Sequence, residues 1–298
     1  MPELEVPGAT LHYQVVGQGP LLLTISGANG SYEVWQPLSH HLKDHFTVIS
    51  YDRRGFSRST LQGAQDYEHR LDRDADDAAA LIKHLSPNTP ATVLGTSSGA
   101  IVSFNLLLRH PDLIETLIPH EPPAVTLNPD FAELKPKFQD IYNTYRRWGI
   151  PPAMQAFADF AMLSEGEKAE FAKSRAGLHV FSDMMYWFER EFLYPFTEFK
   201  PADFEPYITE LVPVNSEVTN KEAFYFRANE SLTRALGLEL LIFPGGHIGY
   251  ATHAEAFAKE LLDMLKERKA TEGGGCIEKH ETGQDKGLQQ SRGEEIHK

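Results

Sequence analysis

The chain has 298 residues, 41% of them hydrophobic, and carries 28 Lys and Arg against 42 Asp and Glu, a formal charge of −14. This length and apolar content predict a globular protein with a full core, either one large domain or one domain with an insertion. The negative charge opposes a phosphate backbone and argues against a nucleic-acid partner. The single cysteine, Cys276, excludes an intrachain disulfide and a thiolate metal site.

The N-terminal residues show no basic segment followed by an apolar one, and no stretch reaches the ~18 apolar residues that a membrane span requires. Together with the low cysteine content, this predicts a cytoplasmic protein without membrane association. The sequence leaves the oligomeric state open, with a homodimer as one option.

Short β-type runs alternate with helix-length segments along most of the chain. Strands are predicted over 11–16, 21–25, 46–51, 91–95, 116–120, 211–215 and 238–243. Helical spacing occurs over 33–45, 70–85, 98–110 and 253–267. The later strands are almost wholly apolar, as are strands that a parallel sheet buries on both faces. This alternation predicts an α/β fold whose mostly parallel sheet is flanked by helices.

The alternation is interrupted after Glu121. Residues 124–209 contain aromatic- and Met-rich helical pieces, which predict a helical cap inserted into a sheet domain formed by 1–123 and 210–268. Residues 269–298 include three consecutive glycines, many charges and few apolar side chains, so we expect a disordered tail there.

A candidate nucleophile lies in the pentapeptide Gly95-Thr96-Ser97-Ser98-Gly99, which follows a predicted strand and opens a predicted helix. In that setting G-x-S-x-G is typical of a nucleophile elbow, because small residues allow a sharp turn that lifts the central hydroxyl above the sheet edge. Ser97 is therefore the predicted nucleophile, and a helix start without chemistry is the alternative. The backbone N–H of Ser98, at the start of that helix, is a candidate oxyanion donor.

A second oxyanion donor is expected in the loop after strand 21–25, where Ser26-Gly27-Ala28-Asn29-Gly30 is flexible enough to bring a backbone N–H close. Gly27 or Ala28 is the candidate. The alternative is that this loop is only a turn.

A serine hydroxyl needs a neighbouring base to take its proton. His247 lies on the Gly-rich loop FPGGHIGY just beyond the last apolar strand, at the same sheet edge as Ser97, and is the predicted base. The cluster His40, His41 and His45 lacks a further ligand at suitable spacing, so no metal site is predicted.

Three carboxylates could orient that histidine: Glu121 follows the strand after the Ser97 strand, while Glu217 and Glu222 follow strand 211–215. All these strand ends share one sheet edge, so topology alone does not decide. Pro122 favours Glu121, because a residue before proline is restricted to an extended backbone and is held in place. The alternative role for Glu121 is to brace the cap.

Residues 51–59, YDRRGFSRS, predict a braced turn in which Asp52 bonds locally. No G-x-G-x-x-G opens a helix after a strand, and a Walker A sequence is absent, so no nucleotide cofactor is implied. We predict that the protein uses no cofactor.

The motifs SGANG, YDRRGFSRS, GTSSGA, HEPP and PGGHIGY, in this order, resemble the α/β-hydrolase superfamily over roughly residues 5–268. The Ser-Ser-Gly-Ala elbow, His-Glu-x-Pro and Pro-Gly-x-His-x-x-Tyr are similar to fungal zearalenone-type lactone hydrolases. That resemblance implies a catalytic triad and two oxyanion donors at matching positions: Ser97, Glu121 and His247, with Gly27 and Ser98.

The same resemblance implies a substrate contact from a tryptophan of the cap, for which Trp187 is the candidate. Ala28 is a second candidate substrate-binding residue. Packing of the cap onto the core is the alternative role for Trp187. The chain departs from the family at Ser26, where those lactonases have an acidic residue. The resemblance therefore implies the triad for this chain but does not imply the lactonases' substrate.

These observations predict a serine hydrolase for a small apolar ester or lactone, of aromatic or polyketide type. Two alternatives use the same fold: carbon–carbon cleavage or cyclisation of a biosynthetic intermediate, and a ligand receptor with negligible turnover.

Overall fold

A computed structural model of the chain describes residues 2–28, 30–174 and 178–274. The chain divides into two compact units, residues 1–260 and 261–298. The first unit contains the sheet and nearly all of the helices. The second is described over 261–274, where the chain is helical.

Within the described ranges the strands form one nine-stranded sheet in the order β1-β2-β4-β3-β6-β7-β8-β9, with β5 paired to β2. Neighbouring strands from β4 to β9 run parallel, whereas β2 is antiparallel to β1, β4 and β5. The strands are β1 (Glu3–Val6), β2 (Ala9–Gly17), β3 (Leu21–Ile25), β4 (Thr47–Tyr51), β5 (Thr60–Leu61), β6 (Ala91–Thr96), β7 (Ile114–His120), β8 (Val214–Ser216) and β9 (Leu241–Phe243). The predicted mostly parallel sheet is confirmed.

The α-helices are α1 (Gln36–Leu42), α2 (Arg70–Leu85), α3 (Ser98–Arg109), α4 (Phe131–Trp148), α5 (Ile150–Phe160), α6 (Glu165–Ser174), α7 (Val180–Arg190), α8 (Pro201–Phe204), α9 (Phe224–Leu236), α10 (Gly249–Thr252) and α11 (Ala254–Gly274). Helix α11 continues past 269, the predicted start of the disordered tail. The rest of that predicted tail, 275–298, lies outside the described residues.

Every residue of β3 and β6 is buried. Helix α2 packs on β3, and helix α3 packs on β3, β6 and β7. Burial on both faces explains why the sequences LLLTI and ATVLGT lack the alternation of a half-exposed strand. These two central strands carry the loops that surround Ser97.

The helical segment, as we call residues 124–209, contains helices α4 to α8 and lies between β7 and β8 in the chain. Its apolar interior is rich in aromatic rings: the Phe138 ring meets Phe160 and Phe196 of the segment at centroid distances of 5.1 and 5.2 Å, and Phe224 of α9 at 5.3 Å. The segment belongs to the same compact unit as the sheet. Its definition as a separate cap domain stays a prediction.

Candidate active site

Ser97 lies at the sharp turn between β6 and α3. Its φ of 54° is positive, a conformation that costs a non-glycine residue of order 1–3 kcal/mol. A Cβ on Gly95 would lie 2.6 Å from the Gly99 carbonyl oxygen, and a Cβ on Gly99 would lie 2.2 Å from the Ile25 carbonyl oxygen. The two glycines of G-x-S-x-G therefore permit the close approach of β3, β6 and α3 that this turn requires.

Ser98 is the first residue of α3, and its N–H belongs to the first turn, whose amides have no partner within the helix. The helix dipole adds a partial positive charge at the same point. The N–H of Ser98 can thus receive negative charge that develops next to Ser97.

Glu121 and His247 are in direct contact. The Nδ1 atom of His247 lies 2.6 Å from Oε2 of Glu121, whose side chain is fully buried. Burial alone would raise the pKa of Glu121, but the hydrogen bond from His247 lowers it below the ordinary value. The ionised carboxylate accepts the Nδ1 proton, so Nε2 of a neutral His247 is the nitrogen that can act as a base.

Glu121 also accepts a hydrogen bond at Oε1 from the backbone N–H of Ser216, at 2.9 Å. Its own N–H donates to the Val214 carbonyl at 3.0 Å. Strand β8 thus holds both the backbone and the carboxylate of Glu121.

The backbone of Glu121 differs from the sequence expectation. Its φ is 48°, in the left-handed region, and not the extended conformation expected before Pro122. That prediction was wrong because tertiary contacts outweigh the local preference. The bonds to Val214, Ser216 and His247 require the chain to turn sharply at the end of β7, at a cost of order 1–3 kcal/mol.

The alternative acids lie elsewhere. Glu217 and Glu222 are both exposed. Each donates a hydrogen bond through its backbone N–H: Glu217 to the Phe243 carbonyl, and Glu222 to the Asn220 side chain. Of the three carboxylates considered from the sequence, Glu121 is the one that contacts His247.

The Gly27 loop lies against Ser97, since a Cβ on Gly27 would be 2.9 Å from the Ser97 Cβ. The Gly27 carbonyl accepts hydrogen bonds from Arg53 Nη2 and from the Gly30 N–H, both at 2.9 Å. In a trans peptide the next N–H points opposite to the carbonyl, so the Ala28 N–H is directed away from Arg53. Gly27 and Ala28 both line the cavity, and both stay candidates for the second oxyanion donor.

Arg53 belongs to a buried group of two arginines and two acids, here called the ionic cluster: Arg53, Arg70, Asp74 and Glu191. Arg53 makes two hydrogen bonds to the Glu191 carboxylate, at 2.8 and 2.6 Å, and Arg70 reaches both Glu191 and Asp74 at 3.0 and 3.1 Å. Burial opposes the charge of Arg53, but Glu191 and Asp74 raise its pKa above the ordinary value. The ionic cluster thereby ties the Gly27 loop to the helical segment.

The prediction of a local brace at Asp52 agrees with its contacts. Its carboxylate accepts hydrogen bonds from the Tyr32 N–H at 2.8 Å and from the Arg58 N–H at 3.1 Å. The neighbouring Arg53 instead pairs with Glu191, 138 positions along the chain, a contact that the motif YDRRGFSRS gave no means to anticipate.

A cavity of about 870 Å³ opens between the sheet edge and the helical segment. Gly27, Ala28, Ser97 and His247 line it on the sheet side. Much of the rest of its wall is apolar, with contributions from Val34, Phe171, Leu178, Val180, Met184 and Ile248. Ser97 and His247 both line this cavity, and no hydrogen bond joins these two side chains.

One polar contact joins the two sides of the cavity wall. Ser57 has a positive φ of 47°, and its N–H and hydroxyl donate to Asp183 of α7 at 2.7 and 2.6 Å. The strained backbone at Ser57 is thus held by two hydrogen bonds from the helical segment.

Trp187, the candidate substrate contact, is buried among aromatic side chains and is absent from the described residues that line the cavity. Its ring meets Phe188, Phe192 and Phe157 at 4.8, 5.1 and 5.4 Å. This packing favours the alternative role, an aromatic side chain that stabilises the helical segment.

Several residues around His247 were missed from the sequence. Phe171 of α6 and Tyr225 of α9 face the His247 ring at 6.0 and 4.5 Å. The Glu167 carboxylate lies 3.5 Å from the His247 N–H. Spacing carries no signal for these contacts, because they come from helices far apart in the chain.

Among the described residues, no group of His, Cys, Asp and Glu side chains could hold a metal ion. No helix in the same part of the chain is long and apolar enough to cross a membrane.

Comparison with known proteins assigns the fold family. A family model described as alpha/beta hydrolase fold matches residues 20–193. The uncharacterized hydrolase YraK of Bacillus subtilis (strain 168) is 32% identical over 280 residues, covering 90% of this chain and 97% of that protein. The chain belongs to the α/β-hydrolase family.

Solved structures agree with this assignment at the level of the fold. A thermophilic esterase from Thermogutta terrifontis superimposes with a TM-score of 0.68 at 18% identity, covering 90% of this chain and 99% of that one. The enol-lactonase from Burkholderia xenovorans LB400 gives a TM-score of 0.64 at 19% identity, covering 89% of this chain and 100% of that one.

Proposed function

We propose that this α/β-hydrolase is a serine hydrolase that cleaves a carboxylic ester or lactone through an acyl-enzyme. The observation that carries the proposal is the 2.6 Å contact between His247 Nδ1 and the buried Glu121 carboxylate, at the cavity that Ser97 also lines. An acid, a histidine and a serine in this order of contact form the arrangement that activates a hydroxyl for acyl transfer.

In the first half of the reaction, Ser97 Oγ attacks the carbonyl carbon while His247 Nε2 takes the hydroxyl proton. Glu121 keeps the Nδ1 proton in place and stabilises the imidazolium. The N–H groups of Ser98 and of Ala28 or Gly27 bind the oxyanion. As the carbon–oxygen bond of the ester breaks, His247 returns the proton to the leaving alkoxide, which stays attached to the acyl chain when the substrate is a lactone.

In the second half, a water molecule attacks the acyl-enzyme and gives its proton to His247 Nε2. The tetrahedral intermediate then expels the Ser97 oxygen, which recovers the proton from His247. The product is a carboxylic acid, and the enzyme returns to its starting state.

The cavity supports a substrate of moderate size with an apolar body. About 870 Å³ falls within the 300–1,000 Å³ usual for small-molecule sites. Aliphatic and aromatic side chains from both sides of the cleft can cover an aromatic or polyketide-type lactone, the substrate class suggested by the motif resemblance to zearalenone-type lactone hydrolases. The esterase and enol-lactonase of similar fold act on bonds of the same chemical kind.

The first experiment is labelling with a fluorophosphonate probe. We expect the wild-type protein to label and Ser97→Ala to remain unlabelled, because the probe reacts with an activated serine. Ser182→Ala, which changes an exposed serine of α7, is the matched control and should label like the wild type. A wild-type protein that does not label would refute the proposal and favour a ligand receptor.

The second experiment uses a panel of aryl esters and macrolactones in ¹⁸O-labelled water. Hydrolysis places one labelled oxygen in the product acid. Product formed without incorporation would contradict hydrolysis and would favour lyase or cyclase chemistry.

A further inference from the structure

A chain of hydrogen bonds runs beneath the candidate active site. The Thr96 hydroxyl lies 3.1 Å from His120 Nδ1, and His120 Nε2 lies 2.7 Å from the Ser216 hydroxyl. The Ser216 hydroxyl in turn lies 2.8 Å from the Gly246 carbonyl oxygen. We call these four residues the neutral chain.

The direction of each hydrogen bond follows from the last one. A carbonyl oxygen can only accept, so the Ser216 hydroxyl donates its single proton to Gly246. It therefore accepts from His120, which places a proton on Nε2. In a neutral imidazole Nδ1 is then an acceptor, and the Thr96 hydroxyl donates to it. The neutral Nε2–H tautomer satisfies every donor and acceptor of the neutral chain.

The surroundings of His120 favour this neutral form. Its side chain is fully buried, and burial lowers its pKa to about 4. Phe257 and Tyr250 meet its ring edge-on at 5.5 and 6.1 Å, and the His247 ring is stacked at 6.3 Å. His120 is not among the described residues that line the cavity, so it does not touch a substrate held there.

Three members of the neutral chain directly precede the residues of the proposed triad. The pairs are Thr96 with Ser97, His120 with Glu121, and Gly246 with His247. The fourth member, Ser216, also binds the Glu121 carboxylate through its backbone N–H at 2.9 Å. The neutral chain thus crosses the ends of β6, β7 and β8 and reaches the loop after β9, near the positions of Ser97, Glu121 and His247.

We propose that His120 is a positioning residue, which sets the relative positions of Ser97, Glu121 and His247 by bonding to Thr96 on one side and to Ser216 on the other. This proposal rests on the proposed serine hydrolase function. Transfer of the Ser97 proton requires a separation between Ser97 and His247 that holds within a fraction of an ångström. The neutral chain supplies that constraint without adding a charge beside the catalytic imidazole.

The first test is the protonation of the ring itself. A long-range ¹H–¹⁵N spectrum of the wild-type protein at pH 7 should show His120 as the neutral Nε2–H tautomer. The Nδ1–H tautomer, or an imidazolium, would overturn the proposal, because the chain from Thr96 to Gly246 could not then form as described. This measurement does not depend on the substrate or on any variant.

The second test measures the rate of fluorophosphonate labelling in folded variants. His120→Phe keeps a planar ring and removes both hydrogen bonds, and we expect labelling about 100-fold slower, the size of effect that an ångström of misplacement produces. His120→Gln keeps a donor that can reach Ser216, so it should recover part of the rate. Ser216→Ala removes the hydroxyl but keeps the N–H to Glu121, and should be slowed about 10-fold.

His12→Phe is the matched control. His12 is another buried histidine, on β2, and is not among the residues that line the cavity. Its variant should label at the wild-type rate.

Steady-state kinetics with p-nitrophenyl acetate separate positioning from general damage. A positioning role lowers kcat with little change in KM. The kcat of His120→Gln should then be higher than the kcat of His120→Phe. A folded His120→Phe that labels within twofold of the wild type would overturn the proposal. If His120→Phe does not fold, a Ser216→Ala variant that labels at the wild-type rate would overturn the proposal instead. A wild-type protein that does not label would refute the hydrolase function. The tautomer of His120 would still test the hydrogen bonds of the neutral chain, because that measurement does not depend on labelling.

Discussion

The neutral chain and the ionic cluster solve the same problem by different chemistry. Both are buried, and both hold a backbone segment next to Ser97. The neutral chain connects strand ends that are already neighbours in the sheet, so short side chains and one imidazole suffice. The ionic cluster connects the Gly27 loop to Glu191 of the helical segment, where long side chains must span the gap. Burial raises the pKa of Glu191, and the two arginines offset part of that cost.

The energetic consequences of disrupting these two groups should therefore differ. Loss of one partner of a buried ion pair leaves an uncompensated charge and costs about 3–5 kcal/mol. Loss of one neutral partner costs about 1–3 kcal/mol. We expect variants of the ionic cluster to act first on stability and variants around the neutral chain to act first on the rate of reaction.

The largest effect on rate is expected at Glu121, the carboxylate that Ser216 holds. Glu121→Gln keeps the size of the side chain but removes the charge that fixes the His247 tautomer, so kcat should fall about 10⁴-fold. The fold should survive, as measured by thermal unfolding.

Glu217→Gln is the matched control, because Glu217 is an exposed acid that follows the neighbouring strand β8. It should keep the wild-type kcat. If Glu217→Gln inactivated the enzyme and Glu121→Gln did not, the assignment of Glu121 as the acid of the proposed triad would be wrong.

The largest effect on stability is expected at Glu191. Glu191→Gln leaves Arg53 and Arg70 with Asp74 as the remaining acid of the ionic cluster, and the free energy of unfolding should fall by about 3–5 kcal/mol in urea titrations. Labelling of Ser97 should also slow, because Arg53 holds the Gly27 carbonyl.

Glu189 offers a control two residues away. It pairs with Arg146 at 3.3 Å on the surface, where both side chains are at least one-third exposed (34% and 59%). Glu189→Gln should change the free energy of unfolding by less than about 1 kcal/mol. Equal losses of unfolding free energy in Glu191→Gln and Glu189→Gln would show that the buried ion pairs of the ionic cluster stabilise the fold no more than a surface pair does.

The smallest effect is a pH dependence of stability that originates in the neutral chain. The pKa of His120 is about 4 in the folded protein and 6.5 in its ordinary state. Between these values the unfolded chain binds a proton that the folded protein does not, so stability falls as the pH falls from 6.5 towards 4. The contribution from His120 is about 1 kcal/mol between pH 6.5 and 5.5.

Urea titrations at these two pH values test this expectation. The wild-type protein should lose about 1 kcal/mol more than His120→Gln, because the variant has no imidazole at this position. Identical losses in the two proteins would show that His120 is not held neutral by burial.

The sequence predicted those parts of the site that depend on strand order. Ser97, Glu121 and His247 each follow an apolar strand, and parallel strands end at one sheet edge, so their proximity followed from the pattern. The backbone of Glu121 did not, because bonds from β8 override the preference that Pro122 imposes. The pairing of Arg53 with Glu191 was equally hidden, since a long-range ion pair leaves no local signal.

His120 shows an intermediate case. Its place beside Glu121 was visible in the sequence IPHEPP, yet its role depends on Thr96 and Ser216, which only the packing of three strands brings within reach. His120 is the last residue of β7, and Glu121 follows it with a positive φ. The two neighbouring side chains therefore make different contacts: His120 bonds to Thr96 and Ser216, and Glu121 bonds to His247.

The hydrogen bond from Arg53 to the Gly27 carbonyl has a consequence for the construction of chimaeric proteins within the family. Substrate preference could be altered by grafting the helical segment of another α/β-hydrolase onto this sheet, but the graft replaces Glu191 as well as the cavity wall. A donor segment without a carboxylate at this position would leave Arg53 and Arg70 with Asp74 as the remaining acid beneath the Gly27 loop. Compatible donors for such chimaeras can therefore be screened by one position, residue 191, before any comparison of their cavity linings.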